Sequence, residues 1–199
     1  ESGFEEKTKN LISDIFIIYE ALFLKKPVQT VIDIITDYCE EQRWSELTII
    51  LMSHVYGPLN KIYPLFHYTV LLERYDILRA LLTAATTLHK VIHKKHETIN
   101  FQKSWVNLRG NDGGSILHLI CEKNKPTWIS YFLSIDANPL LTDFNGSTPF
   151  HVNTSQNKIT ILYNTLDVNE QDNWKLKYMH YFMLYAIQKN DPTLLNWLL

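Results

Sequence analysis

The stretch Gly113-Gly-Ser-Ile-Leu-His118 returns 33 residues later as Gly146-Ser-Thr-Pro-Phe-His151. A fixed period of this size marks stacked helical units, each burying its apolar face against the next. The same period carries other columns: Asn124, Asn157 and Asn190; Ile129, Leu162 and Leu195; Leu133, Leu166 and Leu199. Four columns in step make coincidence a poor account of any one of them.

Within a unit the order reads helix, turn, helix, loop. Thr148 is placed to N-cap a helix, with Pro149 in its first turn where a missing N–H costs nothing. Ser115 holds the capping position one unit earlier, followed by Ile116. Asn157, a residue that tolerates left-handed geometry, is placed to end the helix. A second apolar helix follows through Ile159, Ile161, Leu162 and Leu166, then a polar turn, Asp167-Val-Asn-Glu170, matching Asp136-Ala-Asn-Pro139 one unit before.

These residues resemble the ankyrin repeat. The unit from Gly146 fits that family's Gly-x-Thr-Pro-Leu-His opening; the unit from Gly113 fits at Gly, Ser, Leu and His. Asp136-Ala-Asn-Pro139 and Asp143-x-x-Gly146 fit the preceding loop. The unit from about Met179 keeps only Ala186, Asn190, Leu195 and Leu198-Leu199, with Leu184 in the histidine position. Laying His67 and Leu82 on His118 and Leu133 needs an offset of 51, which assigns a surplus to residues 84–111. Further back, Pro27 opens a helix to about Gln42, and Ser45 starts another to about Val55 that Gly57-Pro58 stops.

The resemblance implies an all-α helical solenoid of about five helix-turn-helix units, the first degenerate. The units are expected at 27–60, 61–112 with the insertion 84–111, 113–145, 146–178 and 179–199. An extra amphipathic helix within 1–26 is expected to cover the open end of the stack, since terminal units must shield the core. Leu199 falls in a column that still exposes its apolar side. The chain is therefore expected to be part of a longer protein.

Composition narrows the function. With 46% apolar residues over 199 positions the chain can bury a real core, and a net charge of −2 argues against a nucleic-acid binder. The stretch Leu11–Leu24 contains Asp14 and Glu20 and is too short to span a bilayer. Cys39 and Cys121 form no metal-ligand pattern and suit a reducing, cytoplasmic setting. Abundant Lys, Ile, Asn and Tyr suit an AT-rich genome.

The chemically suggestive residues have structural readings. The resemblance gives His118 and His151 the task of bonding neighbouring loop backbone, and makes Ser115 and Thr148 helix starters rather than nucleophiles. His89, His93 and His96 share one face if helical, yet three interleaved lysines oppose a cation and no His-Glu-x-x-His signature is present. This stretch reads as an exposed basic helix or loop; with Lys103 and Arg109 it could contact phosphate or an acidic partner, although isolated charge runs are usually solvated faces. Gly110-Asn-Asp-Gly-Gly114 is a repeat turn rather than a phosphate loop. Most of the tryptophans and tyrosines are expected between helices, with Trp174, in a finger region, and Trp105 as candidate exceptions.

No cofactor, metal or catalytic set is expected. The resemblance implies a non-enzymatic protein-protein interaction module, monomeric and cytoplasmic, binding a protein partner on its concave face. One finger is Leu141, Thr142, Asp143, Phe144 and Asn145; the next is Glu170, Gln171, Asp172, Asn173, Trp174 and Lys175. The exposed inner-helix positions are Glu122, Lys123, Ser155, Gln156, Gln188 and Lys189. Phe144 and Trp174 are the aromatic anchors of this surface. An effector or host-range factor of an intracellular pathogen, working in the host cytoplasm, and an ordinary scaffold both suit these features. The alternative is a recruitment domain of a larger enzyme whose catalytic part lies outside this sequence.

Overall fold

The computed structural model describes residues 2–57, 61–95, 101–123 and 125–149, and eight single positions between Met179 and Leu199. The protein is mostly helical. In chain order the described elements are α1 (Ser2–Phe23), α2 (Gln29–Glu40), α3 (Trp44–Met52), β1 (His54–Gly57), β2 (Lys61–Pro64), α4 (Leu65–Leu71), α5 (Tyr75–Lys95), α6 (Phe101–Val106), α7 (Ile116–Glu122) and α8 (Pro126–Ser134).

Three helix pairs, α2–α3, α4–α5 and α7–α8, are each joined by three residues. Each junction is closed the same way. The N–H of Arg43, Arg74 or Lys125 donates back to the carbonyl of Tyr38, Thr69 or Ile120, at 2.9, 2.8 and 3.3 Å. Such bonds satisfy carbonyls that a helix end would otherwise leave open. The closure needs a left-handed residue, and Gln42 (φ 54°) and Glu73 (φ 56°) supply it in the first two junctions. Asn190 adopts the same hand (φ 51°), in the asparagine column noted above.

The apolar faces of these pairs make one continuous core. Tyr38, Phe66, Tyr68 and Phe132 are among its largest fully buried side chains, or nearly so. Helix α1 contributes Ile18, Ala21 and Leu22 to it and packs on α2, α3 and α4. No basic residue lies in the last turn of α1, so its carbonyl end is served from elsewhere. The Arg74 guanidinium donates to the carbonyls of Ala21 (2.7 Å) and Lys26 (2.9 Å) while gripping Asp76 through two further bonds.

Three features differ from the sequence reading. Helix α3 stops at Met52 rather than near Val55, and a hairpin follows in which Tyr56 faces Ile62 and His54 faces Pro64. Gly57 therefore lies in a hairpin strand rather than ending a helix. The hairpin is pinned to α4 by the Tyr68 hydroxyl, which donates to the Lys61 carbonyl at 2.6 Å and fills the space a side chain on Gly57 would need. Second, the surplus at 84–111 begins as a continuation of α5 to Lys95, with Ala84, Ala85 and Leu88 buried, and continues in α6. Third, Trp105 is no surface anchor. It is buried, with its ring stacked on Phe66 at 4.5 Å and edge-on to Phe132.

Among the described residues no helix is long and apolar enough to cross a membrane.

Candidate partner-binding surface

The 33-residue echo is a repeated piece of backbone. Gly110 N–H donates to the Gly114 carbonyl, and Asp143 N–H to the Ser147 carbonyl, both at 2.8 Å. Gly113 N–H donates to the Gly110 carbonyl and Gly146 N–H to the Asp143 carbonyl, both at 3.0 Å. Gly113 (φ 81°) and Gly146 (φ 77°) take the left-handed conformation that closes each turn.

A histidine joins each turn to the preceding helix pair. The His118 ring donates from Nε2 to the Ser147 carbonyl at 3.0 Å, while its Nδ1 accepts the Ser115 N–H at 3.0 Å. A carbonyl can only accept, so the proton sits on Nε2. His67 does the same one unit earlier, donating from Nε2 to the Gly114 carbonyl at 3.2 Å. The two histidines are 51 residues apart and their acceptors 33, which locates the extra residues between them. Burial holds both rings below the usual histidine range, His67 down to about 3. They act as neutral struts.

The hairpin and the two turns are also linked side by side. Asn111 N–H donates to the Ile62 carbonyl (3.0 Å), and Phe144 N–H to the Asp112 carbonyl (2.9 Å). Arg109 donates to the Gly113 carbonyl at 2.8 Å and reaches the Thr142 carbonyl in the next turn. Asp112 accepts from the Tyr63 hydroxyl and pairs with Lys61 (3.4 Å). Burial opposes the Asp112 charge, but these donors and the Gly114 N–H hold its carboxyl below the usual range. Asp143 fastens its own turn by accepting the N–H groups of Asn145 (2.9 Å) and Ser147 (2.8 Å).

On this hydrogen-bonded frame stand large apolar side chains. Phe144 is 76% exposed, with its ring edge over Gly113; Tyr56 and Ile62, paired across the hairpin, are 63% and 41% exposed. Leu141 and Asp143 are half-buried, and Thr142 and Asn145 are exposed. Glu122 is exposed at the end of α7, while Lys123 pairs with Glu73 at 3.3 Å. Glu170, Gln171, Asp172, Asn173, Trp174 and Lys175 lie outside the described residues, as do Ser155, Gln156, Gln188 and Lys189. Tyr56 and Ile62 escape a reading that stops a helix at Gly57-Pro58. The signal is the β-branched and aromatic pair Val55-Tyr56 and its counterpart Ile62-Tyr63 on either side of a Gly-Pro-Leu-Asn stretch.

His89 and His93 are stacked on α5 with ring centroids 5.6 Å apart, and His96 lies outside the described residues. Among the described residues no group of three or more His, Cys, Asp or Glu side chains is arranged to hold a metal ion.

No known family profile matches the chain. It is similar to the target of rapamycin complex 2 subunit AVO2 of Saccharomyces cerevisiae, at 25% identity over 170 residues. That similarity covers 77% of this chain and 38% of the yeast protein, so the chain corresponds to well under half of that relative's length.

Proposed function

We propose that this chain is a non-catalytic protein-binding module, built as a stack of ankyrin-type units. In this reading the hairpin and the turns beside it meet the partner. The observation that carries it is Phe144: a phenyl ring left largely in water on a turn whose backbone is bonded to the preceding turn and to itself. An aromatic group held on a rigid support loses little conformational freedom on binding, which is how anchor residues gain their weight. Tyr56 and Ile62 extend the apolar surface on the hairpin. The similarity to a subunit of a multiprotein complex agrees with a role in assembly. We place this activity in the cytoplasm, where Cys39 and Cys121 stay reduced.

The test is affinity capture with the wild-type chain against the Tyr56→Ala/Phe144→Ala variant, beside thermal unfolding of both. Captured proteins should be lost from the variant. Exposed substitutions of this kind cost about 0.5 kcal/mol or less each, so melting should move by only about 1–4 °C. Equal capture by both chains, or a collapse of the melting temperature, would remove the surface from consideration.

A further inference from the structure

The second helices of two adjacent pairs, α5 and α8, enclose a cleft of about 550 Å³ that shares no residue with the hairpin and turns. Its length comes from a mismatch. Helix α5 has 21 residues and α8 only nine, and their N-terminal ends are matched, Tyr75 stacking on Trp128 at 5.7 Å. The C-terminal half of α5 therefore runs on past α8.

The cleft has apolar walls with a cation toward each end. Leu82, Trp128 and Tyr131 supply the apolar surface, Arg79 lies with its guanidinium 5.9 Å from the Trp128 ring centre, and Lys90 stands three turns further along α5. Among the described residues no carboxylate lines it. Asp76, the nearest acidic residue on α5, is held by Arg74. The threonines of this wall already donate their hydroxyls to their own helix, Thr83 to Arg79 (3.0 Å), Thr86 to Leu82 (2.8 Å) and Thr87 to Thr83 (3.0 Å). Their hydroxyl protons are thus committed to the helix backbone rather than to a ligand in the cleft. A small phosphorylated ligand needs several convergent donors, whereas an apolar helix face needs only shape.

We infer that this cleft is a second docking site, which takes an acidic amphipathic helix of a protein partner. A helix laid between two others seats its ridge in their groove. Eleven residues separate Arg79 from Lys90, about 16 Å along α5. The guest helix therefore presents apolar residues at its centre and carboxylates about three turns apart.

A displayed library of random 12-residue peptides selected on the full chain tests this. Selected sequences should be enriched in Asp and Glu toward both ends around an apolar centre. Their affinity should fall at least about tenfold for Arg79→Glu/Lys90→Glu and hold for Tyr56→Ala/Phe144→Ala. The milder Arg79→Gln/Lys90→Gln serves if the charge reversal lowers the urea midpoint. A pool without acidic enrichment, no binders, or binders indifferent to both charge variants overturns the proposal. So does binding of phosphatidylserine vesicles that the charge variants abolish while peptide binding persists, because the cations then serve a lipid surface.

Discussion

Pro64 leaves Nδ1 of the buried His67 without a donor. In the next unit the equivalent nitrogen, on His118, accepts the backbone N–H of Ser115, three residues before it. Pro64 occupies that place before His67 and has no N–H to give. A buried acceptor left unpaired costs about 1–3 kcal/mol, and exchanging proline for a freer residue costs about 0.4–1 kcal/mol through the unfolded chain. Pro64→Ser should therefore stabilise the protein by about 1 kcal/mol, seen as a higher urea midpoint at unchanged slope. A lower midpoint would show that the proline's fixed geometry at the end of β2 outweighs the missing bond.

Arg74 ties the first helix to the helix pairs that follow it. Its guanidinium reaches the Ala21 carbonyl in the last turn of α1, the Lys26 carbonyl just past that helix and both oxygens of Asp76, and the Arg74 hydrogen bonds hold the Asp76 carboxyl below its usual range. Hydrogen bonds to a charged group are worth about 1.5–3 kcal/mol, so Arg74→Ala should cost about 2–3 kcal/mol in urea unfolding. Amide exchange should quicken in α1 before it does in α7. Arg74→Lys should recover less than half, since an ammonium lacks the fork that reaches both carbonyls. Uniform loss across all helices would argue against a local bolt.

The legible parts of this fold were those written in local chemistry. Gly113 and Gly146 mark left-handed turns, and the 33-residue spacing of their hydrogen bonds follows from the residues alone. The 51-residue step from His67 to His118 was also readable, because each histidine serves one loop. Other features depend on partners distant in the chain. Nothing near Trp105 announces that Phe66 will stack on it, and nothing near α1 announces that Arg74 will close its end. The hairpin is ambiguous in the sequence because Gly57-Pro58 is as good a helix stop as a turn. Phe144 was legible as an aromatic loop residue, whereas its exposure depends on how the neighbouring turns sit. Tyr56 and Ile62 became candidates only when the hairpin did.

The two histidine struts set an acid limit on stability. Both rings are held neutral in the folded protein, while an unfolded histidine takes up a proton near pH 6.5. Protonation thus favours the unfolded chain. The stability they contribute is complete above about pH 6.5 and is lost as the pH falls, toward about 3 in the case of His67. Each such ring adds at most about 1.4 kcal/mol per pH unit to the slope. Melting temperatures taken from roughly pH 7.5 to pH 4.5 should therefore fall steadily, and His118→Gln should flatten the fall even though it lowers the starting value. A profile unchanged by that substitution would mean that His118 does not carry its share.

Gly113 and Gly146 offer a paired measurement of how turns are stacked. Both have left-handed backbones, so replacing either with alanine costs about 1–2 kcal/mol from conformation alone, less what the glycine loses in chain entropy. Their surroundings differ. A Cβ on Gly113 would lie 2.7 Å from the Phe144 ring and 2.9 Å from its backbone nitrogen, whereas one on Gly146 meets nothing described within 4 Å. Gly113→Ala should therefore cost at least about 1 kcal/mol more than Gly146→Ala, as overpacking does elsewhere. Removing the ring with Phe144→Ala should recover only part of that difference, because the backbone nitrogen remains and is bonded to Asp112. Full recovery would mean that ring packing alone sets the spacing of the turns. Equal costs for the two glycines would mean that the turns separate easily, and the rigid support claimed for Phe144 would go with that result.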